Sequence, residues 1–399
     1  MNGVILDLSR LISRIRHPTP TGVDRVEMAY ARGLLQRFGQ ELSFAAVHPT
    51  GLYGRLRRQA ALAYLDELER RWALAGSDTP HKSSITAAIP WLTALRPLQS
   101  GIGSGGVYVQ VSPHHLTRTQ LLHKILKREQ ASFLCMVHDL IPIEFPEYAR
   151  PGGAELHCRR METVAQLADA VIVNSQATAA SLGRWLDNQG RDAPPIHVNL
   201  LGTEAIAEAS LGHLRDRRPT FLCLGTIEPR KNHLLLLHLW RQLADELAED
   251  DMPRLQIVGR RGWENEQVLD LLDRSPSLKK HVVEIDRCSD EKLGEYLRNA
   301  RALLMPSFAE GYGMPVAEAL SVGTPVIASD IDAHREVGRE APDFLDPLDG
   351  PGWKRAIMDY CREGPMRRAQ LERLHDWRAP SWHDHLDSAC QIIQDLGRR

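Results

Sequence analysis

The stretch of sequence that decides the fold is ALLMPSFAEGYGMPVAEALSVGTPVIASDIDAHREVG, which spans residues 302–338. Its first four residues are apolar and predict a short buried strand that ends at Pro306. A glycine-containing loop follows, and then a helix that begins at Pro315, because proline suits the first turn of a helix. The helix is expected to end at Gly323, and residues 324–329 predict a second buried strand. Two buried strands joined by a loop and a helix are typical of a parallel α/β sheet.

The loop in this stretch has the features of an anion site. Glycines let the backbone approach a ligand closely, and the free N–H groups at a helix start attract phosphate together with the helix dipole. The candidate donors are the N–H groups of Gly311, Tyr312, Gly313 and Met314. Two carboxylates, Glu310 and Glu318, flank the loop and suit sugar hydroxyls, which donate hydrogen bonds. Taken singly, each carboxylate is better explained as a solvated charge.

Taken together, these residues resemble the signature of the retaining glycosyltransferases of family 4. In that family an acidic residue and a second glutamate precede a G-T-P-V-I-A-S strand, as Glu310 and Glu318 do here. The resemblance implies that Glu310 contacts hydroxyls of a donor sugar and that Glu318 contacts the nucleotide ribose. It also implies the GT-B fold, in which two doubly wound Rossmann-like α/β domains face each other across a cleft.

A second motif lies in the same half of the chain. Residues 219–227 predict a buried strand, and Arg230 and Lys231 follow it within the loop EPRKNH. Two adjacent cations suit a diphosphate, although on their own they would equally solvate a turn. The string GTIEPRKNH matches the same family, whose Arg and Lys neutralise the donor diphosphate. With these two cations no metal ion is expected to be needed. The D-x-D sequence at 330–332 is not interpreted as a metal site either, because that motif belongs to transferases of another fold.

The first half of the chain offers two further candidates. His138 stands at the carboxyl end of a strand predicted at 133–137, where open α/β sheets bind ligands. Position alone leaves this histidine structural or catalytic. Residues 137–182 resemble the N-terminal domain of family 4, in which the equivalent histidine faces the donor sugar near the reacting carbon.

Gly22 lies in a loop that enters a predicted helix at 26–38, and in the family this loop touches the donor diphosphate or the acceptor. Arg25 is another candidate at the same helix start.

Adjacent histidines occur at His114 and His115. On an extended backbone their side chains would point to opposite faces, so a metal site is not expected there.

Length and composition are those of a soluble two-domain protein. The 399 residues predict an N-terminal domain at 1–205, a nucleotide-sugar-binding domain at 219–380 and a last helix at 381–399 that crosses back. The net charge of −2 argues against nucleic acid as a partner. The six cysteines form no C-x-x-C pair, and no segment is apolar enough to span a bilayer. These features predict a cytoplasmic protein.

Apolar residues recur with helical spacing between Leu52 and Trp72, interleaved with five arginines. These are Arg55, Arg57, Arg58, Arg70 and Arg71. A basic amphipathic helix can lie on anionic lipid, which would place the protein at the inner face of the cytoplasmic membrane. The favoured alternative is a cationic outer face on a helix that packs on the core.

The resemblance implies a function as well as a fold. It implies transfer of a hexose, with retention, from a nucleotide sugar to a glycan or to an undecaprenyl-diphosphate-linked saccharide. No separate cofactor is expected, and GDP-mannose is favoured over UDP-sugars as the donor. The alternatives are a sugar-nucleotide 2-epimerase, a glycosidic phosphorylase or glycogen-synthase-like enzyme, and a non-catalytic polysaccharide-assembly protein.

Overall fold

The computed structural model describes residues 3–17, 19–74, 85–98, 105–204 and 218–398. Contacts divide the chain into two compact units. The first unit comprises Met1–Glu144, Pro151–Gly202 and Ser381–Arg399, and the second comprises Phe145–Arg150 and Thr203–Pro380. Most of the stretch between the two predicted domains, residues 206–218, lies outside the described residues.

A seven-stranded sheet forms the centre of the first unit. Its strands are β1 Val4–Asp7, β2 Leu42–Val47, β3 Tyr53–Arg55, β4 Gly106–Gln110, β5 Ala131–Val137, β6 Ala170–Val173 and β7 Ile196–Val198. The strand order is β3-β2-β1-β4-β5-β6-β7, and every pairing is parallel except that of β2 with β3. Its helices are α1 Ser9–Ser13, α2 Gly22–Phe38, α3 Arg58–Ala73, α4 Ile85–Ala94, α5 Thr119–Glu129, α6 Ile141–Glu144, α7 Gly153–Leu167 and α8 Gln176–Asn188.

A six-stranded parallel sheet forms the centre of the second unit. Its strands are β8 Thr220–Leu224, β9 Arg254–Val258, β10 Val282–Ile285, β11 Ala302–Met305, β12 Val326–Ser329 and β13 Asp343–Leu345, in the order β10-β9-β8-β11-β12-β13. Its helices are α9 His233–Glu246, α10 Glu266–Arg274, α11 Pro276–His281, α12 Asp290–Asn299, α13 Met314–Ser321, α14 Asp332–Gly338, α15 Gly350–Cys361 and α16 Pro365–Asp376. The fully buried indoles of Trp240 and Trp353 belong to its core, which is the packing expected of helices laid on a parallel sheet.

Two elements begin four or more residues away from the position that the sequence pattern predicts. Helix α2 begins four residues early, at Gly22, because the side chains of Thr21 and Asp24 form a capping box at its N-terminus. The helical spacing from Leu52 onward is interrupted by the short antiparallel strand β3, and α3 begins only at Arg58. Arg55 of β3 pairs with the buried carboxylate of Glu129 at 2.9 Å, which fixes this edge strand.

The last helix, α17 (Trp382–Leu396), belongs to the first unit and packs on α2. The hydroxyl of Tyr30 lies 2.8 Å from Nε2 of His385, and Nδ1 of the same ring lies 3.0 Å from the carbonyl oxygen of Leu200. A methyl group added at Gly33 of α2 would lie 2.3 Å from a δ-carbon of Leu386, so the two helices approach each other closely at this glycine.

The close approach at Gly33 gives a test of this packing. Gly33→Ala and Gly183→Ala both replace a helical glycine, which alone favours folding by about 0.5–1 kcal/mol. Nothing lies within 4 Å of the methyl group at position 183, whereas at position 33 it collides with Leu386. We expect urea denaturation to show Gly183→Ala to be stabilised, and Gly33→Ala to be less stable than Gly183→Ala by about 1–3 kcal/mol. Equal stabilities would show that α17 does not pack closely here.

Candidate active site

Two loops of the second unit meet at the carboxyl edge of its sheet, because β8 and β11 are neighbouring strands. The first loop makes a short turn at Pro229–Lys231 and ends at Asn232, whose φ of 54° lies in the left-handed region that asparagine tolerates. Its side-chain amide donates to the carbonyl oxygens of Pro306 at 3.1 Å and Pro347 at 3.0 Å. The backbone N–H of Phe308 donates to the carbonyl of Arg230 at 2.8 Å. These hydrogen bonds fix the loops against each other.

The charged side chains of the two loops converge on Glu310. A guanidinium nitrogen of Arg230 lies 2.6 Å from Oε2 of Glu310, and the ammonium of Lys231 donates to Oε1. The hydroxyl of Ser307 donates to the same Oε1 at 2.8 Å. Arg230 also pairs with Glu228 at 2.7 Å. Three of the predicted site residues therefore meet, because Arg230 and Lys231 both contact Glu310.

This cluster is largely removed from solvent, and the side chains of Glu310 and Lys231 are only 7% and 8% exposed. Burial by itself would raise the pKa of the Glu310 carboxyl, but Arg230 and Lys231 outweigh burial and hold that pKa well below its ordinary value. Burial raises the pKa of Glu228, and the two cations only partly oppose the rise. Glu310 is therefore ionised at neutral pH and holds both cations in place.

The glycine loop lies beside this cluster. Gly313 precedes α13 with φ of 102°, a conformation in which other residues are strained. A methyl group added there would also lie 3.2 Å from Cδ2 of His334 and 3.2 Å from a γ-carbon of Val337. Gly311, Met314 and Glu318 are half-buried, and Tyr312 is buried. The predicted backbone donors and Glu318 thus lie on one loop and on the helix that follows it, whereas Arg230 and Lys231 lie on the neighbouring loop.

Sequence reasoning missed four side chains that shape the cluster. The recognised EPRKNH motif contains Asn232 and Glu228, so the sequence offered a signal from which these two residues could have been predicted. Ser307 and His334 had no such signal. His334 is fully buried, its Nδ1 lies 3.0 Å from the carbonyl oxygen of Ser329, and burial lowers its pKa despite the nearby Glu310.

The remaining predicted residues belong to the first unit. Nε2 of His138 lies 2.7 Å from the carbonyl oxygen of Val111, so this nitrogen carries the hydrogen. Burial lowers the pKa of His138, which leaves the ring neutral at pH 7 with a lone pair on Nδ1. The carboxylate of Asp139 accepts the N–H of Ile141 at 3.2 Å and so holds the loop. Gly22 is the first residue of α2, and Arg25 lies in the first turn of the same helix.

The backbone at His114 and His115 differs from the extended conformation that was predicted. His115 has φ of 61°, so the chain turns and brings the two rings together at a centroid distance of 4.2 Å. Alternation of side chains therefore does not apply to this pair. Within the described ranges, no group of His, Cys, Asp and Glu side chains is arranged to hold a metal ion.

Four of the five arginines near α3 are engaged inside the first unit. Arg58 donates to the carbonyls of Leu42 and Gly39, and Arg71 donates to those of Ile15 and His17. Arg55 pairs with Glu129, and Arg70 pairs with Glu67. The cationic pattern is thus explained by internal contacts. In the part of the chain that is described, no helix is long and apolar enough to cross a membrane.

Comparison with known proteins agrees with these motifs. Residues 210–346 match the family described as glycosyl transferases group 1. The chain is 29% identical over 233 residues to the serotype-specific mannosyltransferase WbdA of Escherichia coli, a match that covers 53% of the chain and 28% of WbdA. It is 36% identical over 152 residues to O-antigen chain mannosyltransferase B of Escherichia coli, covering 38% and 39%. The chain thus spans less than half the length of these curated relatives.

A solved structure, the sucrose-phosphate synthase of Thermosynechococcus elongatus, superposes with a TM-score of 0.65 at 17% identity, covering 99% of both chains. Two Rossmann-like α/β units and this likeness confirm the predicted GT-B fold. The predicted resemblance is confirmed too, since the chain is similar to glycosyltransferases that include mannosyltransferases of O-antigen assembly.

The ionised state of Glu310 gives a pH-dependent test. Glu310→Gln leaves the buried ammonium of Lys231 without its counter-ion and leaves Arg230 paired with Glu228. We expect a loss of about 3–5 kcal/mol of folding free energy at pH 7. The pKa of Glu310 is lowered in the folded state, so its stabilising effect is complete above the ordinary value of 4.5 and is lost as the pH falls below it. Urea denaturation from pH 7 to pH 3 should show the difference between wild type and variant shrinking below pH 4.5.

The exposed Glu372 supplies the control for that measurement. Glu372→Gln should change the stability by no more than about 0.5 kcal/mol. A gap between wild type and Glu310→Gln that stays constant down to pH 3 would contradict the low pKa of Glu310.

Proposed function

We propose that the protein is a retaining glycosyltransferase that moves a hexose from a nucleotide-diphosphate sugar to a hydroxyl of a glycan. The observation that carries this proposal is the convergence of Arg230 and Lys231 on the buried Glu310. Departure of a nucleoside diphosphate builds negative charge on its phosphate oxygens. Cations fixed in advance stabilise that charge without reorganisation during the reaction.

The glycine loop supplies the rest of the donor subsite in this proposal. Backbone N–H groups between Gly311 and Met314 precede α13, and they add hydrogen bonds and the helix dipole to the two cations. A carboxylate offers about four acceptor positions, and described residues fill three of those on Glu310. The remaining position on Oε2 suits a hydroxyl of the donor sugar, and Glu318 suits the ribose. With the leaving charge neutralised by Arg230 and Lys231, the reaction needs no metal ion.

The proposed chemistry is substitution on one face of the sugar. The acceptor oxygen forms a bond to the anomeric carbon on the face from which the phosphate leaves, and a departing phosphate oxygen takes the hydroxyl proton. Glu310 is an unsuitable nucleophile because both of its oxygens are engaged by cations. A role for His138 near the donor sugar is proposed from the resemblance alone.

The donor and the acceptor are proposed from the relatives. The similar proteins of Escherichia coli are named as mannosyltransferases, one of them of the O-antigen chain. This favours GDP-mannose over UDP-sugars, and a growing polysaccharide or an undecaprenyl-diphosphate-linked saccharide as acceptor. Such an acceptor would bring the protein to the inner face of the cytoplasmic membrane. The internal pairing of the arginines near α3 argues against that helix as the docking surface.

The donor class is tested by thermal-shift measurements with GDP, UDP, GDP-mannose and UDP-glucose, each with and without EDTA. We expect the guanine nucleotides to raise the melting temperature, since ligands that bind only the folded state stabilise it. The shift should be the same with EDTA because arginine and lysine replace the metal. A shift that requires a divalent cation would contradict the metal-free mechanism, and a shift with uridine nucleotides alone would overturn the choice of donor.

Turnover tests the role of the cations. Arg230→Ala should lower kcat/KM for transfer by about a hundredfold or more, because it removes a fixed positive charge from the leaving phosphate. Arg241→Ala, which removes an exposed arginine of α9, should leave kcat/KM unchanged. The melting temperature of each variant checks its folding, and the anomeric proton coupling of the product checks retention. A folded Arg230→Ala enzyme within threefold of wild type would remove Arg230 from the mechanism.

A further inference from the structure

A second group of cationic and imidazole side chains lies within the first unit. Strands β1, β4 and β5 are neighbours in its sheet, so the segments that follow them meet at one edge. Arg10 follows β1, the pair His114 and His115 follows β4, and His138 follows β5. Helix α7 adds Arg160 to the same group, within electrostatic range of Arg10 and His114.

Arg160 is the member of this group whose contacts are incomplete. Its Nη1 lies 3.4 Å from Nδ1 of His157, and no carboxylate of a described residue forms an ion pair with it. Its Nε is buried without a hydrogen-bond partner in the described structure. Nε2 of His115 is likewise buried without a partner there. A buried donor left unpaired is costly, so a ligand that accepts its hydrogen bond would bind favourably.

The charges around Arg160 favour an anion. Burial lowers the pKa of Arg160, and the positive charge of the nearby Arg10 lowers it further. Asp139 opposes this effect, although its carboxylate already accepts the N–H of Ile141. Asp24 is shared between Arg10 at 2.7 Å and Arg14 at 3.0 Å, so one carboxylate serves two guanidiniums.

Two further carboxyl groups and the two imidazoles also lie near this cluster. Burial raises the pKa of Asp7, and it raises that of Glu27 well above the ordinary range. Burial lowers the pKa values of His114 and His115 to about 4, so both rings are neutral at pH 7. A neutral imidazole can donate one hydrogen bond to an anion.

We propose that Arg160, together with Arg10 and the imidazoles of His114 and His115, forms a subsite for a phosphoryl group of the acceptor. A planar carboxylate is matched by a single guanidinium fork. Donors on three separate segments suit a tetrahedral group, whose oxygens point in different directions. This inference rests on the proposed glycosyl transfer, and it defines the acceptor as a phosphorylated one. The phosphoryl group could belong to a soluble sugar phosphate or to the diphosphate of a lipid-linked saccharide.

Isothermal titration calorimetry on the full chain tests this subsite. The protein is first saturated with GDP, which occupies the proposed donor site, and is then titrated with a hexose 1-phosphate, a hexuronate or a neutral methyl hexoside. A short prenyl diphosphate and the matching prenyl alcohol, in one detergent, test the lipid source. We expect at least one phosphorylated probe to bind, and the hexuronate, the methyl hexoside and the prenyl alcohol to bind at least about tenfold more weakly.

Two adjacent arginines of α7 provide the variants. Arg160→Gln should weaken binding of the phosphorylated probe at least about tenfold, as expected on loss of a hydrogen bond to a charged group. Arg160→Lys should retain part of the affinity, because it keeps the charge. Arg159 is exposed, and Arg159→Gln should bind as wild type does. Thermal melting of each variant checks that it is folded.

Each outcome bears on one proposal. Equal affinity of folded Arg160→Gln and Arg159→Gln, or absence of binding by every phosphorylated probe, would overturn the subsite. Equal affinity for the hexuronate would overturn its assignment to phosphate. If neither GDP nor UDP binds, the proposed function fails, and the titration is repeated without nucleotide on Lys231→Ala. Binding there that still depends on Arg160 would support the anion subsite alone.

Discussion

The buried carboxylate of Glu310 is the interaction on which the candidate site depends. It joins a turn that follows β8 to a loop that follows β11, although the two are about eighty residues apart in the chain. Removing charges from water is costly, and only partners in direct contact offset that cost. The two buried charges, Glu310 and Lys231, are therefore stable only with their partners in place. The same constraint that holds the loops together also sets the spacing of the two cations offered to a ligand.

The candidate site also depends on a glycine beside the cluster of Glu310, Arg230 and Lys231. Gly313 takes a backbone conformation that other residues adopt only under strain, and His334 and Val337 leave little room for a side chain there. The N–H groups of the loop are therefore positioned by packing, whereas the cations are positioned by charge. The first unit uses neutral imidazoles in place of charged groups. Burial keeps His138, His114 and His115 neutral, so these rings offer hydrogen bonds without adding charge.

Much of the architecture could be predicted from local patterns. Apolar runs and glycine-containing turns identified most strands, and the EPRKNH and glycine-loop motifs identified the residues that meet in the second unit. The contact between Arg230, Lys231 and Glu310 could not be predicted, because it depends on β8 and β11 being neighbours in the sheet. Strand β3 was missed because a buried partner distant in sequence, Glu129, fixes it. The turn at His115 was missed because it depends on a left-handed conformation at a residue other than glycine.

Helix α17 has a consequence for the order in which the chain folds during synthesis. Domains usually form in the order in which their residues leave the ribosome. Here the first unit includes residues that follow the whole of the second unit, so α2 lacks its partner helix until α17 has been made. The second unit can fold earlier, because all of its residues precede α17. Until α17 has been made, the apolar face of α2 that receives Leu386 stays uncovered. The nascent first unit is therefore expected to bind chaperones.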